Sequence, residues 1–191
     1  MTESAQFVLA SGSPRRREIL AALGFHFDVE AVDIDEQHLG AESAAQMVRR
    51  LAAAKADAAT RGQIVLGSDT VVVLGERILG KPRDAEDAVG MLLSLSGRTH
   101  SVLTAVALKT PAGTTTVLSA TKVEFREIDQ DEAYRYWQSG EPADKAGSYG
   151  IQGIGGVFVK AINGSYSGVM GLPVFETAEL LATAGIDVNQ T

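Results

Sequence analysis

The run Ile64-Val65-Leu66-Gly67-Ser68-Asp69-Thr70-Val71-Val72-Val73 constrains this chain more than any other segment. It is β-forming except at its centre, where Gly67 and Asp69 interrupt apolar, β-branched residues. A carboxylate inside such a strand is costly to bury unless a cation or several donors compensate it. A glycine there marks a bulge or a close backbone approach. Asp69 therefore reads as a metal ligand or general base at a sheet edge or cleft. The plainer alternative is an aspartate satisfied by local backbone donors.

Around this run, strand and helix patterns alternate. Residues 7–10 read as a short buried strand. Residues 11–24 read as a helix with a serine cap, Pro14 at its first position, and Ile19, Leu20 and Leu23 on one side. Residues 25–32 alternate as a strand, 33–41 form an acidic loop, and 42–61 carry Ala44, Met47, Val48 and Leu51 at helical spacing. Residues 63–74 are strand-rich, and 84–95 form a helix capped by Asp84 and followed by Gly97. Residues 100–109 and 114–125 read as strands around a turn at 111–113. A helix at 129–138, a glycine-rich stretch at 140–171 and a last helix at 173–184 complete the chain. The order is mixed α/β, with hairpin-like sections and no linker, repeat or heptad run.

Composition narrows the function. The 191 residues carry 17 Lys plus Arg against 24 Asp plus Glu, a net charge of −7, and no cysteine. The length suits one domain or two small lobes. Without cysteine there is no disulfide scaffold, zinc finger, iron–sulfur site or thiol nucleophile. An acidic balance argues against gripping a nucleic-acid backbone. No apolar run approaches the roughly 20 residues of a membrane span. The polar residues 1–6 lack the features of a signal peptide. A cytoplasmic protein without nucleic-acid or membrane partners is expected.

Several further groups point to anions. Leu9-Ala-Ser-Gly-Ser-Pro-Arg-Arg16 joins a strand to a helix start, where free N–H groups and the helix dipole favour phosphate. The hydroxyls of Ser11 and Ser13 and the forked donors of Arg15 and Arg16 add to it. It is neither a Walker loop nor a dinucleotide fingerprint, and a well-capped helix with exposed arginines is the alternative. Lys55 continues the apolar face of its helix, so it needs an anionic partner or snorkels outward. Lys81, between Gly80 and Pro82, is either held in place by a stiff loop or solvated. Asp33, Asp35 and Glu36 form either a source of oxygen ligands for a hard cation or a solvated loop.

Glycines as dense as those of residues 144–153 permit close approach to a planar ligand. Gln152 offers a paired donor and acceptor suited to a base edge. A flexible surface loop is the alternative. His26, His38 and His100 form no metal-spaced pair and read as structural, and Tyr136 and Trp137 as packing residues.

These pieces resemble one family when taken in order. Leu9–Arg16, Gly67-Ser-Asp-Thr70, Gly80-Lys-Pro-Arg-Asp84, Leu95-Ser-Gly97 with His100, Asp144-Lys-Ala-Gly-Ser-Tyr-Gly-Ile-Gln-Gly153 and Gly171-Leu-Pro173 are similar to the motifs of the Maf family. Its members are nucleoside triphosphate pyrophosphatases, first known as septum-formation proteins. The resemblance runs from Leu9 to the final helix. The Tyr-Gly-Ile-Gln-Gly form looks like the dTTP/UTP subfamily, whereas the sister subfamily carries Glu at the position of Gln152.

The resemblance implies hydrolysis of dTTP or UTP between the α- and β-phosphates, in a nucleotide-pool cleaning role. It implies Asp69 as proton acceptor, and Arg15, Thr70 and Gln152 as specificity positions. Ser11, Arg16, Glu36, Lys55 and Lys81 are then expected around the triphosphate and its metal. That metal is a divalent cation, Mg²⁺ or Mn²⁺, on Asp69 and Glu36. The implied fold is a single domain over residues 1–191, a mixed two-lobed α/β fold around a long sheet. It is similar to inosine triphosphate pyrophosphatases, with the active cleft between lobes and a homodimer by analogy. Two other readings stand beside this one. One is a non-catalytic nucleotide-binding regulator of cell division, and the other a broader pyrophosphatase for non-standard nucleotides.

Overall fold

A computed structural model of the chain describes residues 5–188. Its strands are β1 (Phe7–Leu9), β2 (Phe27–Val29), β3 (Val65–Leu74), β4 (Arg77–Leu79), β5 (Thr99–Thr110), β6 (Gly113–Phe125) and β7 (Val159–Asn163). They form one mixed sheet in the order β2-β1-β3-β5-β6-β7, with β4 also paired to β3. β1 runs parallel to β2 and β3, while β4 and β7 run antiparallel to β3 and β6. The helices are α1 (Pro14–Ala22), α2 (Ala44–Ala58), α3 (Ala85–Leu95), α4 (Gln130–Gln138), α5 (Tyr166–Met170) and α6 (Val174–Ala182). This is the mixed α/β class that the alternating sequence pattern predicts. No helix among the described residues is long and apolar enough to cross a membrane.

The chain divides into two compact units. The first comprises Met1–Asp69, Thr104–Ser119 and Gly171–Thr191. Its core buries Leu9, Leu20, Leu51, Leu66 and Leu181. α2 turns Met47, Val48, Leu51, Ala52 and Ala56 inward. It begins at a reciprocal cap: Gln46 N–H donates to Ser43 Oγ at 3.3 Å, and Ser43 N–H donates to Gln46 Oε1 at 2.8 Å. Such a cap contributes about 1 kcal/mol.

Gly67 lets this helix lie directly on β3. A Cβ at that position would run into the Ala52 carbonyl oxygen and lie 2.7 Å from the Ala56 nitrogen. Of the two meanings of a strand glycine, the structure selects close backbone approach.

The second unit comprises Thr70–Leu103 and Ala120–Met170. Its core gathers Val72, Leu79, Leu92, Leu95, Val123 and Phe125 with further aromatic rings. Asp84 caps α3 by accepting the Asp87 N–H at 2.9 Å, and Asp129 caps α4 by accepting the Glu132 N–H at 2.8 Å. Gly97 follows α3 in the left-handed conformation, φ +66°, as the sequence predicts. His100 is buried edge-on against Phe125, with Nε2 2.9 Å from Tyr149 Oη. Burial pushes its pKa down to about 4, so the ring is neutral near pH 7.

Three local expectations are corrected. Ser13 occupies the cap position of α1, but its side chain makes no capping bond. Its own N–H instead donates to Ser11 Oγ at 3.2 Å. The strand expected over residues 25–32 is only Phe27–Val29. The glycine-rich stretch at 140–171 contains three short 3-10 turns, β7 and α5. β7 ends the strand order, and all its residues but the first are exposed. No apolar alternation marks it, and only its pairing to β6 makes it a strand.

Candidate active site

Asp69 is 6% exposed, on a strand that stands between β1 and β5 in the sheet order. It lies beyond Leu66, where the pairing to β1 ends, and before Val72, where the pairing to β4 begins. The compensating cation is Lys55. Its Nζ lies 2.6 Å from Asp69 Oδ1 and 2.6 Å from Glu36 Oε1.

The route to this contact is local. Residues two apart on a strand share a face, so Gly67 and Asp69 point the same way. Gly67 brings α2 against that face at Ala52 and Ala56, and Lys55 lies between them in the chain. The lysine that continues the apolar stripe thus finds its anionic partner. Its side chain is 12% exposed, against 51% for Glu36 in the acidic loop.

Burial raises the pKa of Asp69 above the ordinary carboxylate value. Lys55 and Arg16 pull it down, and Glu36 adds to the rise, but desolvation prevails. The result is a carboxylate with increased proton affinity beside a fixed cation.

Arg16 supplies a second fixed cation. Its Nη1 donates to Ser11 Oγ at 3.0 Å, and its Nε donates to the Gly171 carbonyl at 2.9 Å. Ser68 Oγ donates to the same carbonyl at 3.0 Å. One carbonyl therefore ties α1 and β3 to the turn ahead of α6. Desolvation lowers the Arg16 pKa; Asp69 opposes this, and Arg15 adds to it. An arginine so lowered still stays charged. Arg15 is half-buried beside it.

The first unit thus brings together Asp69, Lys55 and Glu36 by direct ion pairs, and Arg16 and Ser11 by a hydrogen bond. Thr70, Lys81 and Gln152 belong to the second unit. Thr70 follows Asp69 on β3 and is half-buried. Lys81 is exposed. The Gly80 carbonyl before it accepts the Gly147 N–H at 3.0 Å, which anchors that segment. Gln152 is exposed on the glycine-rich turn.

Two glycines of that turn lie against side chains of the protein. A Cβ at Gly153 would run into Glu141 Oε2 and lie 2.6 Å from its Cδ. A Cβ at Gly155 would run into Tyr136 Oη. These glycines make room for a carboxylate and a phenol of the protein itself. Sequence reasoning passed over Glu141. Its signal was a carboxylate between Gly140 and Pro142, five residues after a tyrosine and shortly before clustered glycines. Tyr136 is buried, in keeping with its packing role, and its hydroxyl is also a hydrogen-bond hub.

Chemically, Asp69 and Glu36 are two oxygen ligands linked through one ammonium. No group of three or more His, Cys, Asp or Glu with metal-site geometry occurs among the described residues. A pair of carboxylates nevertheless fits Mg²⁺ or Mn²⁺, hard ions that complete their coordination with water and phosphate oxygens. Deprotonated Asp69 is also placed to accept a proton, with Lys55 and Arg16 beside it to balance negative charge.

The chain is similar to known proteins over nearly its whole length. A family model described as Maf-like protein matches residues 6–184. A protein of Saccharophagus degradans named dTTP/UTP pyrophosphatase is 54% identical, over 98% of this chain and 92% of that protein. Proteins of the same name from Hahella chejuensis and Vibrio cholerae are 52% and 50% identical. The first alignment covers 96% of this chain and 94% of the relative, the second 93% and 97%. Among solved structures, the Staphylococcus aureus Ham1 protein aligns with a TM-score of 0.45 at 16% identity, over 62% of this chain and 71% of that one.

Proposed function

The chain belongs to the Maf family, and on that premise we propose that it hydrolyses dTTP and UTP to the nucleoside monophosphate and pyrophosphate. The observation that carries this reading is the buried Asp69 carboxylate held at 2.6 Å by Lys55, which holds Glu36 equally closely. A charge cluster of this kind is costly in a fold and useful to a reaction.

Water attacks the α-phosphorus, and a carboxylate oxygen of Asp69 takes its proton. The raised proton affinity of Asp69 suits that step. The bond from the α-phosphorus to the bridging oxygen breaks, and pyrophosphate leaves with added negative charge. Arg15, Arg16, Lys55 and Lys81 balance this charge. Ser11 and the positive end of the α1 dipole orient a phosphate. Asp69 and Glu36 would hold a divalent cation, which when bound would polarise phosphate oxygens and lower the pKa of water.

Gln152 reads the pyrimidine edge, with Thr70 and Arg15 as further specificity positions. Purines are rejected by size and by polar groups left unpaired. A nucleotide-pool cleaning role, a cytoplasmic location, a single 191-residue domain and a homodimer belong to the same reading.

The test is a panel. Purified protein is incubated with each nucleoside triphosphate and Mg²⁺ or Mn²⁺, and pyrophosphate is assayed. Release from dTTP and UTP well above the purine nucleotides is the expected result. No release from any nucleotide overturns the reading in favour of a non-catalytic nucleotide binder. Equal release from inosine and xanthosine triphosphates replaces it with a broader cleaner.

A further inference from the structure

We propose that Glu141 is a positioning residue for base recognition, whose carboxylate fixes the turn at residues 150–155 that presents Gln152. This rests on the reading of Gln152 as the group that contacts the base.

Both carboxylate oxygens of Glu141 are engaged. Oε1 accepts the Tyr136 hydroxyl at 2.7 Å and the Gly155 N–H at 3.0 Å. Oε2 accepts the Ile154 N–H at 2.8 Å. Tyr136 Oη in turn accepts the Gly150 N–H at 3.0 Å. One end of the turn thus hangs on the phenol and the other on the carboxylate. Gln152 sits between these anchors with its side chain exposed. Glu141 is itself held, because Lys145 Nζ donates to its backbone carbonyl at 2.5 Å.

Glycine-rich backbone does not stay in one conformation unaided. An amide reads a base edge only when its donor and acceptor lie at fixed positions in the plane of the base. The anchors supply what the glycines remove. They also demand a carboxylate. An amide at position 141 keeps one acceptor and turns an NH₂ donor toward an N–H or O–H donor, so at least one anchor is lost. The Glu141 carboxylate is held below its ordinary pKa. Burial alone raises it, but bonds from Tyr136, Gly155 and Ile154 outweigh that.

The test measures kcat/KM for dTTP and for dCTP, which differs at the base edge and not in the triphosphate. Wild type, Glu141→Gln, Gln152→Ala and the double variant are compared, with folding followed by circular dichroism and Tm. Glu141→Gln is expected to cut the dTTP:dCTP preference about tenfold, mostly through a higher KM for dTTP. In the Gln152→Ala background the same change is expected to move the preference less than twofold, because its effect runs through Gln152. A general loss of packing would act in both backgrounds. Should Glu141→Gln fail to fold, Gly153→Ala serves instead, since its Cβ displaces the same carboxylate.

If Gln152→Ala destroys the preference and Glu141→Gln leaves it intact, the positioning role is overturned and base reading stands. Equal losses in both backgrounds overturn it as well. If Gln152→Ala leaves the preference intact, base reading falls and the positioning role with it.

Discussion

Asp69 in the first unit and Glu141 in the second are both carboxylates whose setting depends on a nearby glycine, yet their proton affinities move in opposite directions. Gly67 admits the backbone of α2 beside β3, and Gly153 admits the Glu141 carboxylate itself. The partners make the difference. Glu141 accepts from one hydroxyl and two N–H groups, and these bonds hold it ionised. Asp69 has the Lys55 ammonium, but it loses more to burial than that ammonium returns. A carboxylate satisfied by backbone donors is chemically quiet and fixes structure. One that is desolvated, with a single cation as its partner, keeps a raised proton affinity.

The largest test of this contrast is Asp69→Asn. Loss of a general base costs about 10²–10⁴-fold in rate, and dTTP turnover is expected to fall by about that factor. Stability is expected to hold or rise. The substitution removes a desolvated charge, and Lys55 keeps Glu36 as a partner. A thermal melt that drops by many degrees would instead make Asp69 a structural ion pair.

The pH profile carries the same sign. Protonated Asp69 can neither accept a proton nor ligate a cation, so kcat/KM rises with pH as it ionises, and Asp69→Asn removes that limb. Glu141 is shifted the other way and stays ionised through the same window. For stability the sign also reverses. The raised Asp69 favours the folded state at low pH, and this is lost as pH rises through its folded pKa. Glu141 favours the folded state above its unfolded pKa, and this is lost as pH falls through its lowered one.

Gly67→Ala tests the other half of the construction. The added Cβ meets the backbone of Ala52 and Ala56, which cannot turn away as a flexible side chain does. Overpacking of this kind costs about 1–3 kcal/mol. It should also push α2 from β3 and weaken turnover, because Lys55 rides on that helix. Gly90, inside α3, is the matched control, since nothing lies within 4 Å of its added Cβ. Gly90→Ala is expected to stabilise by about 0.5–1 kcal/mol. Denaturant midpoints of both variants decide the point.

The two carboxylates also differ in how far they were legible in the chain. Asp69 stood out because β-branched residues flank it, and a charge in such a run demands an explanation. Lys55 stood out because its helical spacing puts it on the apolar face. Each pointed at a missing partner, and each turned out to be the other's. The Asp84 cap was legible because its effect lies within four residues.

Glu141 gave only a weak signal, its place between Gly140 and Pro142 ahead of clustered glycines. Charged residues in loops are ordinary, and its partners are backbone N–H groups that every residue but proline carries. The glycines reported crowding without naming what crowds them, and a planar ligand and a carboxylate need the same vacancy. β7 was hidden for a related reason. As an exposed edge strand it lacks the alternation that buried strands impose.

The smallest expected loss is that of Tyr136→Phe. The change keeps the ring, which packs edge-on to Phe158 at 5.0 Å, and removes only the hydroxyl. Glu141 Oε1 loses one donor, and the buried Gly150 N–H loses its acceptor. An unpaired buried donor costs about 1–3 kcal/mol. The lower end applies here, because Glu141 keeps its bonds from Ile154 and Gly155. A loss of about 1 kcal/mol in chemical denaturation, set against none for Asp69→Asn, would mark the first carboxylate as chemistry and the second as scaffold. A Tyr136→Phe variant as stable as wild type would show that the phenol is dispensable. The glycine-rich turn would then depend on the Glu141 carboxylate alone.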